Sequence, residues 1–406
     1  MARSGRGGAV LGAAAGAAGK AVRTIGPPAA SAALGLVASI LIARVFGAEG
    51  RGLYAIGITW MMTIGQVLSM GLGDALAVSL RRYLAPDRPR AFIVACWAVM
   101  AAVAAALALF GAASPMIAAG SVTAGIMLQA TSFTLAAGSR LKWAAALLAQ
   151  PIAVVLTSVV AVGLDLGIEA VLIAYVCAPM VAGALFLSDL RPPAECEAPH
   201  PRPYLRVLRI GAQRQLTVTL AFLVRSVDIL ALGFFFDPKI AGIYAVARSL
   251  VNLCLLAPQA MSGFVLRAEL SGRGTSKTKV LGAMSGWSLL GVLPVLALGW
   301  FLIPAVWGGD FAPAYGVFVI LAVGCVATGS TRGVLAWRNA RDLQATVSRR
   351  YVLLSAPLAV LIAAAAGLGD MHGAAVGSTL AAAVLLLAAW LPVRGEGHSS
   401  SPAVTT

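Results

Sequence analysis

Residues 91–139 read AFIVACWAVMAAVAAALALFGAASPMIAAGSVTAGIMLQATSFTLAAGS, 49 residues without one Asp, Glu, Lys, Arg or His. A membrane-crossing helix needs about 20 mainly apolar residues, so this run is two crossings with a tight turn near Gly111–Pro115. Backbone N–H and C=O groups cannot be left unpaired in hydrocarbon, so the crossings are helices. The whole chain agrees. Its 406 residues are 60% hydrophobic and 11% charged, with a mean hydropathy of +0.91. Soluble domains run roughly 45–50% apolar and about 25% charged. A soluble enzyme, a disordered chain and a disulfide scaffold are excluded.

Working outward from this run, the same test gives twelve spans: 29–46, 53–80, 91–111, 115–139, 143–164, 167–188, 209–235, 239–267, 280–304, 312–335, 351–368 and 373–392. The Gly/Ala-rich stretch before the first span is too weakly hydrophobic for a signal-peptide core. It reads as a cytoplasmic N-terminal tail, 1–28. Residues 29–188 form an N-terminal six-helix lobe, 189–208 a proline-rich cytoplasmic linker and 209–392 a C-terminal six-helix lobe. Residues 393–406 read as a disordered cytoplasmic tail. No loop is long enough to fold as a catalytic domain.

The charges test this count. The chain has 30 Lys and Arg against 15 Asp and Glu, a formal charge of +15. With the N-terminus inside, 24 of the cations fall in cytoplasmic segments. Arg51 and Lys239 fall in outer loops, and Arg44, Arg214, Arg225 and Arg248 fall within spans. Cytoplasmic loops of membrane proteins carry such an excess of cations. The split places both termini in the cytoplasm of a multi-pass protein of the cytoplasmic (inner) membrane, and it accounts for the basic balance without nucleic acid. The five cysteines form no CxxC pair, and the three histidines (His200, His372, His398) sit in loops, span ends or the tail. No catalytic group, metal site or cofactor is expected.

An internal repeat joins the halves. Residues 46–57, FGAEGRGLYAIG, align with 236–247, FDPKIAGIYAVA, at an offset of 190. Phe46/Phe236, Gly52/Gly242, Tyr54/Tyr244 and Ala55/Ala245 are identical. Six spans per half return the chain to the same side, so the halves are parallel and related by an axis along the membrane normal. Transporters bind substrate at such repeat interfaces. The expected fold is all-α and polytopic, about twelve helices in two parallel six-helix lobes.

Charged residues inside spans cost roughly 2.5–3.5 kcal/mol each on insertion scales and mark candidate sites. In span seven Arg214, Thr217, Ala221, Arg225 and Asp228 share one face, and Arg225 and Asp228 are spaced to pair. One reading is a cationic stripe lining a lumen, able to hold a phosphate or pyrophosphate through guanidinium forks. The other has Arg214 snorkelling to the inner interface and Arg225–Asp228 as a structural ion pair. In span eight Tyr244, Arg248, Asn252 and Gln259 share a sector, facing either a cavity or an interhelical network. Asp74 in span two is a candidate coupling-ion site, or pairs with an arginine, or lies at the inner boundary. Arg44 reads as a snorkelling residue at the outer end of span one. Prolines 151, 179, 258, 294, 304 and 357 favour kinks.

The stretch 40–56, with LxARxFG followed by GxGxYA, resembles the polysaccharide flippase branch of the multidrug/oligosaccharidyl-lipid/polysaccharide exporter superfamily, the branch of O-antigen and exopolysaccharide flippases. In the second half RxxDxxxLGxF from Arg225 and GxYxxAxxL from Gly242 are similar to that family's pattern. The resemblance implies a V-shaped pair of lobes around a cationic cavity and alternating access of a polyprenyl-pyrophosphate-linked oligosaccharide. It carries Arg225, Asp228 and Arg248 over as site residues. Its implied partners are the lipid-linked oligosaccharide, the bilayer and polysaccharide assembly proteins. One departure is that the first-half spans are poor in cations. The alternatives are a cation-coupled multidrug antiporter of the same superfamily and, from another class, a membrane glycosyltransferase or polysaccharide polymerase. The antiporter favours carboxylates in its cavity, and the enzymes need acidic residues or a sizeable outer loop. The 81–90 loop, RRYLAPDRPR, does not fit a major-facilitator transporter.

Overall fold

The computed structural model describes residues 5–73, 75–76, 89–136, 139–190, 203–270, 276–339, 341 and 344–392. These form α1 (Gly5–Leu68), α2 (Pro89–Leu109), α3 (Pro115–Ala136), α4 (Arg140–Gly163), α5 (Ile168–Cys177) and α6 (Pro179–Asp189) in the first half. The second half holds α7 (Pro203–Phe235), α8 (Pro238–Cys254), α9 (Leu256–Leu270), α10 (Lys277–Trp307), α11 (Ala314–Asn339) and α12 (Gln344–Trp390). Among the described residues there is no β-strand.

Among the described residues, ten helical stretches are long and apolar enough to cross a membrane. Two of them, Gly26–Leu68 and Arg349–Trp390, have 43 and 42 residues. As straight helices each would exceed about 60 Å, twice the roughly 30 Å hydrocarbon core. Both are hairpins. Gly47 breaks the first with φ 66°, a conformation open to glycine because it lacks Cβ. Gly369 and Asp370 break the second, and the Asp370 carboxylate accepts the His372 amide at 2.9 Å. Arg51 Nε reaches Ser39 Oγ at 3.2 Å, although twelve residues on a straight helix are about 18 Å apart. Gly377 likewise packs on Ile362. Counting the arms separately gives twelve crossing segments, and both breaks fall in the gaps between the expected spans.

Two further spans are broken by proline, which cannot donate to the carbonyl four residues back. Span six divides at Ala178, before Pro179, and span eight divides at Leu255, before Pro258. Pro151, Pro294, Pro304 and Pro357 sit inside continuous helices.

Each half builds its own buried clusters. Ile42, Met61, Val154 and Val171 pack together in the first half, as do Leu72, Ile93, Phe133 and Phe186. Leu232, Val246, Leu250, Phe311 and Phe318 centre the second. Leu109, Phe110, Leu141, Val323, Leu353 and Leu368 project outward, as a lipid-facing surface requires. Hydrocarbon gives helices no hydrophobic drive to associate, so small residues that allow close approach hold them together. Gly65 on Ser121 and Gly73 on Gln129 are such contacts.

The lobes meet at two levels. Near the Gly47 turn, Gly52 lies against the Pro238 carbonyl and Gly242 against the Ala48 carbonyl. Arg44 Nε donates to the Val306 carbonyl at 2.8 Å, and its Nη2 donates to the Ala305 carbonyl. Trp307 Nε1 donates to Ser39 Oγ at 3.4 Å. At the other end of the same helices, Gly71 and Met70 pack on Gly211, and Gln215 Nε2 donates to the Gln66 carbonyl.

Arg44, at the outer end of its span as expected, stays exposed and caps carbonyls at the end of α10 in the other lobe. Two expectations are corrected here. Arg51 is not a loop cation. The helix resumes directly after Gly47, which draws Arg51 into the interior at 5% exposure. The first helix also begins at Gly5, running back through the stretch read as a tail. Linker residues 191–202, tail residues 393–406 and Asp74 lie outside the described residues.

Candidate functional site

Between the two levels of lobe contact lies a cavity of about 390 Å³. Three helix faces wall it. The second arm of α1 presents Arg51, Ala55, Ile58, Thr59 and Met62. Helix α7 presents Phe222, Arg225, Ser226 and Ile229, and α8 presents Ala245, Arg248, Ser249 and Asn252. Each set follows the spacing of three and four residues that lines one helix face. Tyr175 from α5 completes the wall.

Two chambers adjoin it. One of about 310 Å³ lies in the C-terminal lobe, shares Arg225, Arg248 and Asn252, and adds Arg332, Thr328, Thr331 and Tyr351 over an apolar floor of Val224, Leu255, Leu321, Leu335 and Leu385. The other, of about 320 Å³, lies in the N-terminal lobe and shares Arg51, Tyr175, Ser249 and Asn252. Asn252 lines all three spaces.

Beneath the cavity is a buried ionic support. The Asp228 carboxylate is fully buried and its Oδ2 accepts the Tyr244 hydroxyl at 2.6 Å and the Ser378 hydroxyl at 3.0 Å. Arg248 Nη1 lies 3.5 Å from the same oxygen, and Arg248 Nη2 donates to the Arg225 carbonyl at 2.6 Å. Asp228 Oδ1 accepts the Ile229 amide at 2.8 Å. A buried carboxylate is stable only when paired and hydrogen-bonded, and here both oxygens are engaged.

The Arg225–Asp228 pair expected from helical spacing is therefore not formed. The two Cα atoms are neighbours on α7, but Asp228 turns into the lobe towards α8 and α12, while Arg225 turns into the cavity. Tyr244 is also not a lining residue: it is fully buried and its hydroxyl is committed to Asp228. Of the six expected binding residues, Arg225, Arg248 and Asn252 line the cavity, Asp228 and Tyr244 support it, and the Arg214 side chain lies outside the described residues.

Sequence reasoning missed Arg51 and Arg332. Both were counted as loop cations. Arg332 sits on α11 beside Thr328 and Thr331, a polar face that carried a signal, and donates to Gln259 Oε1 at 2.8 Å. Arg51 stands inside the GxGxYA motif. Among the described residues no carboxylate lies within ion-pair distance of Arg51, Arg225 or Arg332. The connected spaces thus carry an excess of guanidinium groups, whose planar forks match phosphate and carboxylate oxygens. The departure noted for the first half, a lack of cations, is corrected by Arg51.

No protein-family model matches the sequence, and no curated protein sequence matches it. Solved structures share its fold. One is titled as the lipid II flippase MurJ in an inward closed conformation, with a TM-score of 0.70 and 16% identity over 88% of this chain and 84% of that one. A second is an inward-facing multidrug resistance MATE family transporter of the MOP superfamily, with a TM-score of 0.63 and 14% identity over 88% of this chain and 92% of that one. A third is the MATE multidrug transporter DinF-BH in complex with R6G, with a TM-score of 0.61 and 15% identity over 91% and 92%. The two-lobed helical fold expected from the motifs is the fold these transporters and flippases have. They are not enzymes.

Proposed function

We propose that this protein is a flippase that carries a polyprenyl-pyrophosphate-linked oligosaccharide across the cytoplasmic membrane by alternating access, supplying polysaccharide biosynthesis. The observation that carries the reading is the arginine-lined cavity between the lobes. Arg51, Arg225 and Arg248 face it, Arg332 faces the adjoining chamber, and the carboxylate nearest them is already engaged. An anion entering such a space replaces water around cations that are otherwise uncompensated. The lipid tail stays in the bilayer, and the pyrophosphate and sugars pass through the cavity.

The two levels of lobe contact support the alternating-access reading. Each combines glycine–carbonyl packing with a few hydrogen bonds, and on the Gly47 side Ala43, Ala48 and Ile56 also pack into the C-terminal cluster. Opening one level while the other holds means separating these contacts, of which a hydrogen bond contributes about 0.5–1.5 kcal/mol net. With both termini cytoplasmic, the Gly47 level faces outward and the Gly71–Gly211 level faces the cytoplasm.

A cation-coupled multidrug antiporter is the second reading, favoured by the MATE transporters that share the fold. It needs a carboxylate free to bind a cation; Asp228 has both oxygens committed, and Asp74 lies outside the described residues. The deciding experiment is flipping of a labelled polyprenyl-pyrophosphate oligosaccharide in proteoliposomes, with wild type, Arg225→Ala and Arg248→Ala. Transport that falls in both variants, compared at equal amounts of folded protein, supports the flippase. Wild type that moves no lipid-linked sugar but exports cationic dyes under an ion gradient replaces it with the antiporter.

A further inference from the structure

The chamber in the N-terminal lobe holds two buried donors without partners. It lies between Ser31 and Ser39 on the first arm of α1, Arg51 and Tyr54 on the second, Gln150 on α4 and Tyr175 on α5. Arg51 is fixed there: Nε donates to Ser39 Oγ and Nη2 to Ser249 Oγ, both at 3.2 Å, and the Tyr54 ring lies 5.6 Å from its Cζ. Its Nη1 is buried with no hydrogen-bond partner, and so is Gln150 Nε2. Both groups donate. A buried unsatisfied donor carries its full desolvation cost, so each of the two calls for an acceptor, which a ligand oxygen can bring in place of water.

Charge narrows the ligand. Arg51, Arg225, Arg248 and Arg332 face the connected spaces, and Asp228 balances one of them. Among the described residues three positive charges remain. A pyrophosphate linked at both ends supplies about two negative charges at neutral pH, one acidic oxygen per phosphorus. One cation is left over. Arg51 stands on the N-terminal side of the central cavity, where the chamber opens, whereas Arg225, Arg248 and Arg332 gather on the C-terminal side. The walls suit a sugar ring: Tyr54 and Tyr175 offer aromatic surface, and Ser31, Ser39 and Gln150 offer polar edges.

We infer, building on the flippase reading, that the transported saccharide is acidic and that the N-terminal chamber binds its sugar carboxylate through Arg51 Nη1 and Gln150 Nε2, apart from the pyrophosphate held by the C-terminal arginines.

The test uses the full-length protein in proteoliposomes and two polyprenyl-pyrophosphate disaccharides that differ only in the terminal ring, glucuronate or glucose. Wild type is expected to move the glucuronate form about tenfold faster at subsaturating concentration, the scale of one charge-assisted hydrogen-bonded pair. Arg51→Gln is expected to bring the ratio close to one, and Gln150→Leu to lower it about threefold, each checked for folding by thermal melting. Wild type that moves both lipids at equal rates overturns the inference and leaves the flippase reading standing.

A second measurement separates the two failures. Methyl glucuronide and methyl glucoside are compared for binding to purified protein by saturation-transfer NMR. If no lipid-linked probe moves, the flippase reading fails. Arg51-dependent preference for the glucuronide then still supports the chamber, and equal binding of the two glycosides overturns it.

Discussion

Gly52 and Gly242 occupy matching places in the two halves, and each lies against the carbonyl four residues before the other: Gly52 on Pro238, Gly242 on Ala48. The helices cross where both lack a side chain, so the backbones touch. A Cβ on Gly242 would stand 2.8 Å from the Gly52 nitrogen and closer still to the Ala48 carbonyl. Close approach of this kind is how helices bind in lipid, where apolar surface alone gives no preference for protein over hydrocarbon.

Gly52→Leu is expected to force the lobes apart on the Gly47 side. Overpacking of this kind costs typically about 1–3 kcal/mol, enough to shift the opening equilibrium by about fivefold to 150-fold. Spin labels on the two lobes near this turn should report a longer distance, and transport should fall. Gly282→Ala, where a Cβ meets open space, serves as the control.

Arg225 and Arg248 should separate stability from transport. Arg248 bridges the Asp228 carboxylate and the Arg225 carbonyl, so Arg248→Ala strands a buried charge, a loss of about 3–5 kcal/mol. Arg225 holds no carboxylate, so Arg225→Ala should leave the melting temperature in detergent close to wild type while flipping falls at least about tenfold. Equal melting losses in the two variants would contradict the asymmetric network.

Tyr244→Phe tests the support beneath the cavity. It removes one hydroxyl from a buried carboxylate, a hydrogen bond to a charged group worth about 1.5–3 kcal/mol. The expected melting loss is smaller than for Asp228→Ala. A double-mutant cycle with Ser378→Ala should show coupling, because both hydroxyls share Asp228 Oδ2.

Arg44→Gln should loosen the contact on the Gly47 side. The guanidinium caps two carbonyls at the C-terminal end of α10, where the helix dipole favours a cation by about 0.3–1 kcal/mol. Arg44 is solvent-exposed, so raised ionic strength should weaken the wild-type contact in the same direction. Cysteine accessibility on this face, in a background without the native cysteines, should rise in the variant.

Much of the fold was legible because it rests on local quantities. Apolar length and the cost of unpaired backbone groups gave twelve crossings, and Gly47 and Gly369–Asp370 turn where the gaps in hydropathy lie. The repeat pointed to the right residues, Gly52 and Gly242, without revealing that they touch. Half of the expected binding residues line the cavity. Spacing left open whether Asp228 and Tyr244 face a cavity or a network, because it gives the face of a helix and not the partner opposite it. Arg51 was lost for a different reason. One residue with positive φ turns the chain sharply enough that the next helix starts five residues early, and a nominal loop cation becomes a buried one.

The sequence by itself determined that this is a two-lobed, twelve-span helical membrane protein with arginines set into its spans, because each of those properties follows from the chemistry of a single stretch in hydrocarbon. Only the tertiary structure decided which arginine meets Asp228, which three cavity guanidiniums lack a carboxylate among the described residues, and that Arg51 lines both the central cavity and the N-terminal chamber. Long flexible side chains choose partners across helices, and that choice depends on the distances the packed glycines allow.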